Sequence, residues 1–552
     1  MSKLPEVILD GVAFAAMLSA GAANLAKNAD IVNDLNVFPI PDGDTGTNMR
    51  MTLEGGVRAA ARGGETLGKV ADAAADGMLF SARGNSGVIL SQFFGGLAEG
   101  LRGHDTADVP TMAKALAAGV RHAYGAVREP VEGTMLTVMR EAAEEADGDD
   151  LVEYFTHYIE AMHRSLDHTP ELLPVLKEAG VIDSGGAGLI YIFEGMARAL
   201  AGEEIELSLP TASPEEAAAP LDFDGFDENT EMRLGYCTEF LLRLQNAKVN
   251  PETFDVSLLT DFLDTIGDSI VATKSGSIVK VHVHTLTPGV VLGKAQEFGE
   301  FLTLKIENME LQHSNTTIEN RYPTAEEKPR EHKKYAFVTV ATGEGLSECF
   351  TAFGADVVIT GGQTMNPSAE DFLNAFATLD AENIFVLPNN SNILMTAEQA
   401  AGLYKDARVL VANVRTLAEA YMAFAMLDPE VETAEELLEA MNAAASSVTT
   451  GEVTTAVRDC ELSGIAVHKN DYIGFSGKTM LAASPDRETT VKTLIDRMDK
   501  TDKEVLIVIF GASTPESEVA DLRRYVANTY PSLEWYEVEG GQEVYDYILS
   551  LA

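Results

Sequence analysis

The chain has 552 residues, length for roughly three domains, and its 46% apolar content is enough to bury large cores. Its 86 acidic residues against 40 basic ones leave a formal charge of −46, which argues against nucleic-acid binding through phosphate contacts and against docking on anionic lipid. Three cysteines far apart, Cys237, Cys349 and Cys460, make no disulfide framework and fit a reducing, cytoplasmic setting.

The first predicted element is the apolar run from Gly11 to Ala26. Glu6 and Asp10 stand ahead of it where an export signal would be basic, so it reads as a packed helix. No stretch approaches ~20 uninterrupted apolar residues, so no transmembrane span is expected. Next comes Asn36-Val37-Phe38-Pro39-Ile40-Pro41-Asp42-Gly43-Asp44-Thr45-Gly46-Thr47-Asn48. Two prolines stiffen the approach, a glycine separates Asp42 from Asp44, and Thr45 to Asn48 open a helix predicted over Met49–Ala61. Mg²⁺ takes oxygen ligands and usually sits between one or two carboxylates and substrate phosphates. A helix start beside it offers unpaired N–H groups and a positive dipole end to the same phosphates. For Asp-Gly alone, a helix-capping turn is the better reading. The following loops reverse that judgement in favour of a metal–nucleotide site.

Three further glycine-rich loops precede predicted helices before residue 204. Ser81-Ala82-Arg83-Gly84-Asn85-Ser86-Gly87 leads into Val88–Leu97. Gly84 and Gly87 admit close backbone approach and Asn85 and Ser86 supply donors, although the Gly-Lys-Ser/Thr of a Walker A loop is missing. Gly133-Thr134-Met135-Leu136-Thr137 opens another helix, and Asp183-Ser184-Gly185-Gly186-Ala187-Gly188 opens the one running from Leu189 to Leu200. Each alone is an ordinary cap; an α-helical barrel that gathered these ends at one mouth would make them one site.

These four strings resemble the ATP-binding L subunit of dihydroxyacetone kinases, over roughly residues 1–204. The resemblance implies an eight-helix barrel that holds ADP or ATP with two Mg²⁺ ions. Carried over, Asp42 and Asp44 are the implied metal ligands and catalytic carboxylates. Thr45, Asn48, Asn85, Ser86 and Gly87 become nucleotide-binding candidates, Ser86 and Gly87 as phosphate contacts. Thr134 and Met135 are implied near the base and Asp183 at its far rim. That family has a third aspartate shortly before the pair; here Asn36 stands in its neighbourhood, with Asp34 slightly earlier, so Asn36 is the candidate third ligand with one less negative charge.

Residues 205–230, rich in Pro, Ala and acids, read as a linker. Residues 231–318 mix strands predicted at Thr238–Gln245 and Ser277–Thr285 with helices predicted at Pro251–Thr265 and Pro288–Leu302, a small α+β domain. In the second strand Lys280, His282 and His284 share one face and Val279, Val281 and Val283 the other. Two imidazoles on one strand face, with Cys237 on a neighbouring strand, suit Zn²⁺ with a fourth position left open; a solvated face beside an unrelated cysteine is the alternative. A second connector covers 319–334. From 335 to 552, strands predicted at Ala336–Ala341, Val357–Thr360, Ile384–Leu387, Val409–Val414 and Val505–Ile509 alternate with helices, which argues for an α/β domain with a largely parallel sheet. Polar loops after three of these strands, among them Gly361–Ser368 and Leu387–Asn392, line a surface or cap helices.

The order of a helical nucleotide domain, a small middle domain and a C-terminal α/β domain resembles, over the full length, the kinase subunit of bacterial fatty acid kinase. The resemblance implies phosphorylation of a fatty acid held by a separate fatty-acid-binding protein of DegV-like fold, a fold the C-terminal loops also resemble, and a Cys…His-x-His set in the middle domain. The expected chain is thus a cytoplasmic ATP- and Mg²⁺-dependent kinase with a Zn²⁺ candidate and a C-terminal partner-docking domain; homodimerisation stays open. A dihydroxyacetone-type kinase and a non-catalytic nucleotide-binding scaffold are the rivals.

Overall fold

The structure is a computed structural model that describes residues 9–36, 43–64, 66–203, 236–245, 248–250, 254, 256–263, 265–275, 277–308, 332–362, 365–427 and 433–552. The chain forms two compact units, Met1–Pro210 with Arg330–Ala552, and Thr211–Pro329. The linker predicted over 205–230 and most of the one over 319–334 lie outside the described residues.

The N-terminal part of the first unit is helical: α1 Gly11–Asp34, α2 Thr45–Ala60, α3 Leu67–Ser81, α4 Gly84–Leu101, α5 Val109–Gly125, α6 Met135–Glu145, α7 Leu151–Leu172, α8 Pro174–Ala179 and α9 Ser184–Leu200. A two-residue antiparallel pair, β1 Leu9–Asp10 and β2 Thr106–Ala107, and an isolated bridge at Arg83 depart from the all-helical expectation. Asp10 caps α1 by accepting the Ala13 N–H at 2.8 Å. Phe14, Leu18, Leu25 and Val32 then fall on one buried face, as helical spacing requires. Each long helix packs on the next, α1 on α2 through to α6 on α7, then α7 on α9, and α9 back on α1. The last contact is close because it is built from glycine. A Cβ on Gly195 would meet Ala20 O at 2.5 Å, and one on Gly21 would meet Ile192 O at 2.8 Å. Phe93, Phe155, Tyr158 and Phe193 fill the centre, with Tyr158 and Phe193 ring centroids 5.1 Å apart.

The C-terminal part of this unit holds two larger sheets. β7 Lys333–Ala341, β8 Val357–Thr360, β9 Ala381–Leu387 and β10 Arg408–Val411 form a parallel sheet of order β10-β9-β7-β8. Its connections include α12 Glu344–Ala352, α13 Ala369–Ala377 and α14 Ser391–Leu403; α15 Leu417–Ala425 and α16 Ala434–Ser446 follow. The expectation of one largely parallel sheet fails beyond this point. Six further strands, β11 Thr449–Thr455, β14 Tyr472–Ser476, β15 Thr479–Ser484, β16 Val505–Phe510, β17 Glu534–Glu539 and β18 Tyr547–Leu551, form a second sheet of order β15-β14-β11-β18-β16-β17, antiparallel except at β16–β17. β12 Cys460–Leu462 and β13 Ile465–Val467 make a small hairpin, and α17 Arg487–Arg497 and α18 Glu516–Thr529 complete the part. β11 (TTGEVTT) and β17 (EWYEVE) are too polar to show an apolar strand pattern, whereas β14 (YIGFS) and β18 (YILSL) are apolar but only five residues long; of this sheet only β16 was expected.

The second unit is a four-stranded antiparallel sheet of order β4-β5-β3-β6, from β3 Tyr236–Leu244, β4 Gly267–Ser275, β5 Ile278–Thr285 and β6 Gly299–Asn308, with α10 Ser257–Leu263 and α11 Pro288–Gln296. The helix expected over Pro288–Leu302 stops at Gln296. At Gly299 the chain comes so near β3 that a Cβ would lie 2.1 Å from Arg243 O, and from there the backbone pairs with β3 as strand. Val279, Val281 and Val283 are fully buried, as their shared face predicts.

Candidate functional site

In the first unit a cavity of about 300 Å³ lies where three helix N-termini meet. This is the lower end of the range for small-molecule sites. Its lining includes Asn36, Asp44, Thr45 and Asn48 at the entry to α2, Asn85 and Ser86 in the first turn of α4, and Asp183 and Ser184 at the start of α9. Leu173, Val175 and Leu176 add an apolar side. A helix N-terminus carries a positive dipole end, and α4, whose first turn has no side-chain cap, also presents unpaired N–H groups, so three such ends around one space make it receptive to anions.

Local sequence explains how the ends converge. Asp44 stands at the N-cap position of α2 but does not cap it with its side chain. Asn33 takes that role from α1, its Oδ1 accepting from Gly46 N at 2.7 Å and Thr47 N at 3.2 Å. The Asp44 carboxylate is thereby left for other partners; it is 8% exposed and its Oδ2 accepts from Asn366 Nδ2 at 2.5 Å. The Asn36 side-chain oxygen accepts from Thr45 Oγ1 and from Ser184 Oγ, both at 2.9 Å, tying the end of α1 to the starts of α2 and α9. Gly84 opens α4 at φ +58°, and a Cβ there would meet Asn48 Nδ2 at 2.5 Å; only glycine lets α4 start against α2. A Cβ on Gly87 would lie 2.4 Å from Thr52 Oγ1, so that glycine serves helix packing. The Asn85 side-chain oxygen is buried with no hydrogen-bond partner, a costly arrangement for a polar atom.

Asp183 caps α9, its Oδ2 accepting the Gly186 N–H at 2.7 Å, and its carboxylate also receives the Met135 N–H. Burial outweighs both bonds and pushes the carboxyl up to about 6. Met135 therefore reaches the site through Asp183; neither it nor Thr134, the N-cap of α6, is among the cavity-lining residues. Asp42 lies outside the described residues. Among the described residues, no group of three or more His, Cys, Asp and Glu is gathered to hold a metal.

Sequence reading missed Ser184, Asn33 and two residues of the C-terminal part, Asn366 and Asn392, the last of which lines the cavity. Ser184 stood inside a quoted glycine-rich string. Asn366 and Asn392 stood in the polar loops Gly361–Ser368 and Leu387–Asn392, read as lining a surface or capping helices but not joined to this site, and nothing local marks Asn33.

In the second unit, Cys237, His282 and His284 lie on the adjacent strands β3 and β5. The backbone register sets Cys237 opposite His284 and Glu239 opposite His282. The side chains of all four lie outside the described residues.

Comparison with known proteins agrees with this layout. Residues 39–198 match the DAK2 domain, residues 233–316 the FakA-like middle domain of fatty acid kinase, and residues 336–552 the FakA-like C-terminal domain of fatty acid kinase. The chain is 40% identical over 551 residues to Protein YloV of Bacillus subtilis (strain 168), covering 98% of this chain and 99% of the relative. It is 38% identical over 550 residues to an uncharacterized protein of Staphylococcus aureus (strain USA300), at the same coverages. The crystal structure of DegV, a fatty acid binding protein from Bacillus subtilis, superposes with a TM-score of 0.30 at 12% identity, covering 40% of this chain and 99% of that one. The DAK2 match sets the helical part among kinase-family domains. The chain belongs to the FakA-like family of fatty acid kinase proteins. No helix among the described residues is long and apolar enough to cross a membrane.

Proposed function

We propose that the chain is an ATP-dependent kinase acting in the cytoplasm on a fatty acid presented by a separate DegV-like fatty-acid-binding protein, with an acyl phosphate as product. The observation that carries the reading is the meeting of three helix N-termini and the Asp44 carboxylate around one cavity in the region that matches the DAK2 domain. The helices then form a barrel with the nucleotide at its mouth, a reading supported by the closed order of helix packing from α1 round to α9.

The donors present suit Mg²⁺. Asp44, the unpartnered Asn85 oxygen and the Ser86 hydroxyl are hard oxygen atoms on one cavity, and Asp42 and Asn36 belong to the same approach. Bound there, Mg²⁺ would neutralise charge on the ATP phosphates. The chain itself offers the phosphoryl oxygens the uncapped first turn of α4, with Ser86 and Gly87, and the positive dipole ends of α2 and α9, so catalysis is positioning and electrostatics. Among the described residues, Asp44 and Asp183 are the ionisable side chains of the lining, and the Asp183 carboxylate already receives two backbone N–H groups. That favours an acceptor that arrives ionised. A fatty acid, with a carboxyl pKa of about 4–5, needs no base at neutral pH. One carboxylate oxygen forms a bond to the γ-phosphorus, the bond to the β–γ bridging oxygen breaks, and ADP leaves with the electron pair.

The test is Mg²⁺-dependent ATP consumption by the purified chain with a lipid-loaded fatty-acid-binding protein, and separately with dihydroxyacetone. Turnover only with the loaded partner is expected. Turnover on dihydroxyacetone alone would return the chain to the triose kinases, and nucleotide binding with no turnover would make it a scaffold.

A further inference from the structure

The nucleotide cavity is not made by the helical part alone. Asn366, in the loop between β8 and α13, is 1% exposed, donates from Nδ2 to Asp44 Oδ2 at 2.5 Å and carries a buried Oδ1 with no partner. Its position is fixed from both sides. Its main-chain oxygen accepts from Arg83 Nη1 at 2.7 Å, and Arg83 also faces Asp371 Oδ2 at 3.4 Å. Two residues on, Ser368 bridges to Arg83, and the Ala369 N–H donates to Ala82 O at 3.2 Å. Asn392, in the first turn of α14, lines the cavity beside Asp44 and Asn85. That helix is held against the helical part by Gln399, whose Nε2 donates to Leu79 O at 2.7 Å. On the opposite side Arg458 donates to the main-chain oxygens of Asp34 at 3.1 Å and Asn36 at 2.5 Å, at the start of the segment that carries Asp42 and Asp44.

A carboxylate that ligates a metal is normally held by a hydrogen bond from behind, and losing that bond lowers metal affinity. We infer that the C-terminal domain completes the Mg–nucleotide site in cis: Asn366 is the positioning residue that orients Asp44, and Asn392 is a wall of the nucleotide cavity. The C-terminal domain is then part of the kinase centre as well as a docking module. This rests on the kinase reading above, because it takes the cavity to hold Mg·ATP.

The test uses the full-length chain with two probes: MgATP followed by calorimetry, and Mn²⁺ with ATP followed by electron paramagnetic resonance. Wild type and Asp44→Asn test the kinase reading: no MgATP binding by wild type, or unchanged Mn²⁺ affinity in Asp44→Asn, defeats that reading itself. With binding established, Asn366→Ala is expected to weaken Mn²⁺ binding about tenfold. Asn392→Ala, at a half-buried position, is expected to weaken MgATP binding about threefold to tenfold while the nucleotide-free unfolding midpoint stays put. Unchanged affinities in both variants overturn the inference and leave the kinase reading standing. Should Asn366→Ala fail to fold, Asn392→Ala decides: a wild-type MgATP affinity there overturns it.

Discussion

Asp183 makes a strong prediction because two opposing effects act on one carboxylate. The N–H groups of Gly186 and Met135 favour the ionised form, and burial, the larger effect, disfavours it, leaving the group at about 6. Against an ordinary aspartate near 3.9, with each tenfold change in proton affinity worth about 1.4 kcal/mol, ionised Asp183 weakens the folded state by about 3 kcal/mol. The folded state holds the proton more tightly than the unfolded chain. The stability from this group is therefore complete below about pH 4, is lost through the window from about 4 to 6, and is gone at neutral pH. Asp183→Asn keeps an oxygen to cap α9 and has no proton to lose. Hydrogen exchange of α9 peptides, corrected for intrinsic rates, measures the opening free energy of this region across that window. Wild type minus Asp183→Asn is expected to fall by about 2–3 kcal/mol between about pH 4 and pH 7. A difference that stays flat would refute the claim that burial outweighs the two N–H bonds.

Asp44→Asn is expected to abolish lipid-dependent ATP turnover with the far-UV spectrum unchanged; retained turnover would remove Asp44 from the metal site. Gly84→Ala places a residue at φ +58° with its methyl 2.5 Å from Asn48 Nδ2. It is expected to lose about 1–2 kcal/mol in strain alone, read as a lower unfolding midpoint, with weaker nucleotide binding. Arg458→Ala frees the Asp34 and Asn36 carbonyls and is expected to speed exchange of amides 43–48 by roughly tenfold, the equivalent of about 1–2 kcal/mol. The purified chain is expected to carry about one Zn²⁺, measured by inductively coupled plasma mass spectrometry, and Cys237→Ser or His284→Ala to lose it; equal zinc in all three proteins would leave the middle strands a plain sheet face.

What the sequence could reveal followed the range of the interactions involved. Helix starts at glycine-rich loops are local signals, and the loops at Gly84–Gly87 and Asp183–Gly186 do open α4 and α9 and bring Asn85, Ser86 and Asp183 to the cavity with Asp44. The parallel strands β7 to β10 are apolar runs and were equally legible. Most of the second sheet was not: β11 and β17 carry Thr and Glu where a pattern needs Val and Ile, and β14 and β18 are apolar runs of only five residues. The role of Asn33 was hidden for a different reason. An asparagine in the last turn of α1 looks like a weak helix former, yet here it caps the next helix through Gly46 and Thr47. With that cap supplied from α1, the Asp44 side chain bonds Asn366 instead of its own helix.

The Asn366–Asp44 bond shows the limit most clearly. It joins residues 322 positions apart, and neither local propensity nor spacing encodes it. Asp44 was read as a metal-ligand candidate and Asn366 stood in a polar loop read as lining a surface or capping a helix, but nothing in either string pairs the two. Capping alone does not fit what the structure holds. Ser368 caps α13 with the Asp371 N–H, so Asn366 is not needed for that helix, and Asn33 caps α2, so neither is Asp44. Asn366 and Asp44, buried together and bonded at the edge of the cavity, carry a desolvation cost that their polar contacts must offset. Under the proposed function a ligand that uses the Asp44 carboxylate adds to that compensation; an Asp44→Asn chain with unchanged Mn²⁺ affinity would leave the cavity a void of helix packing.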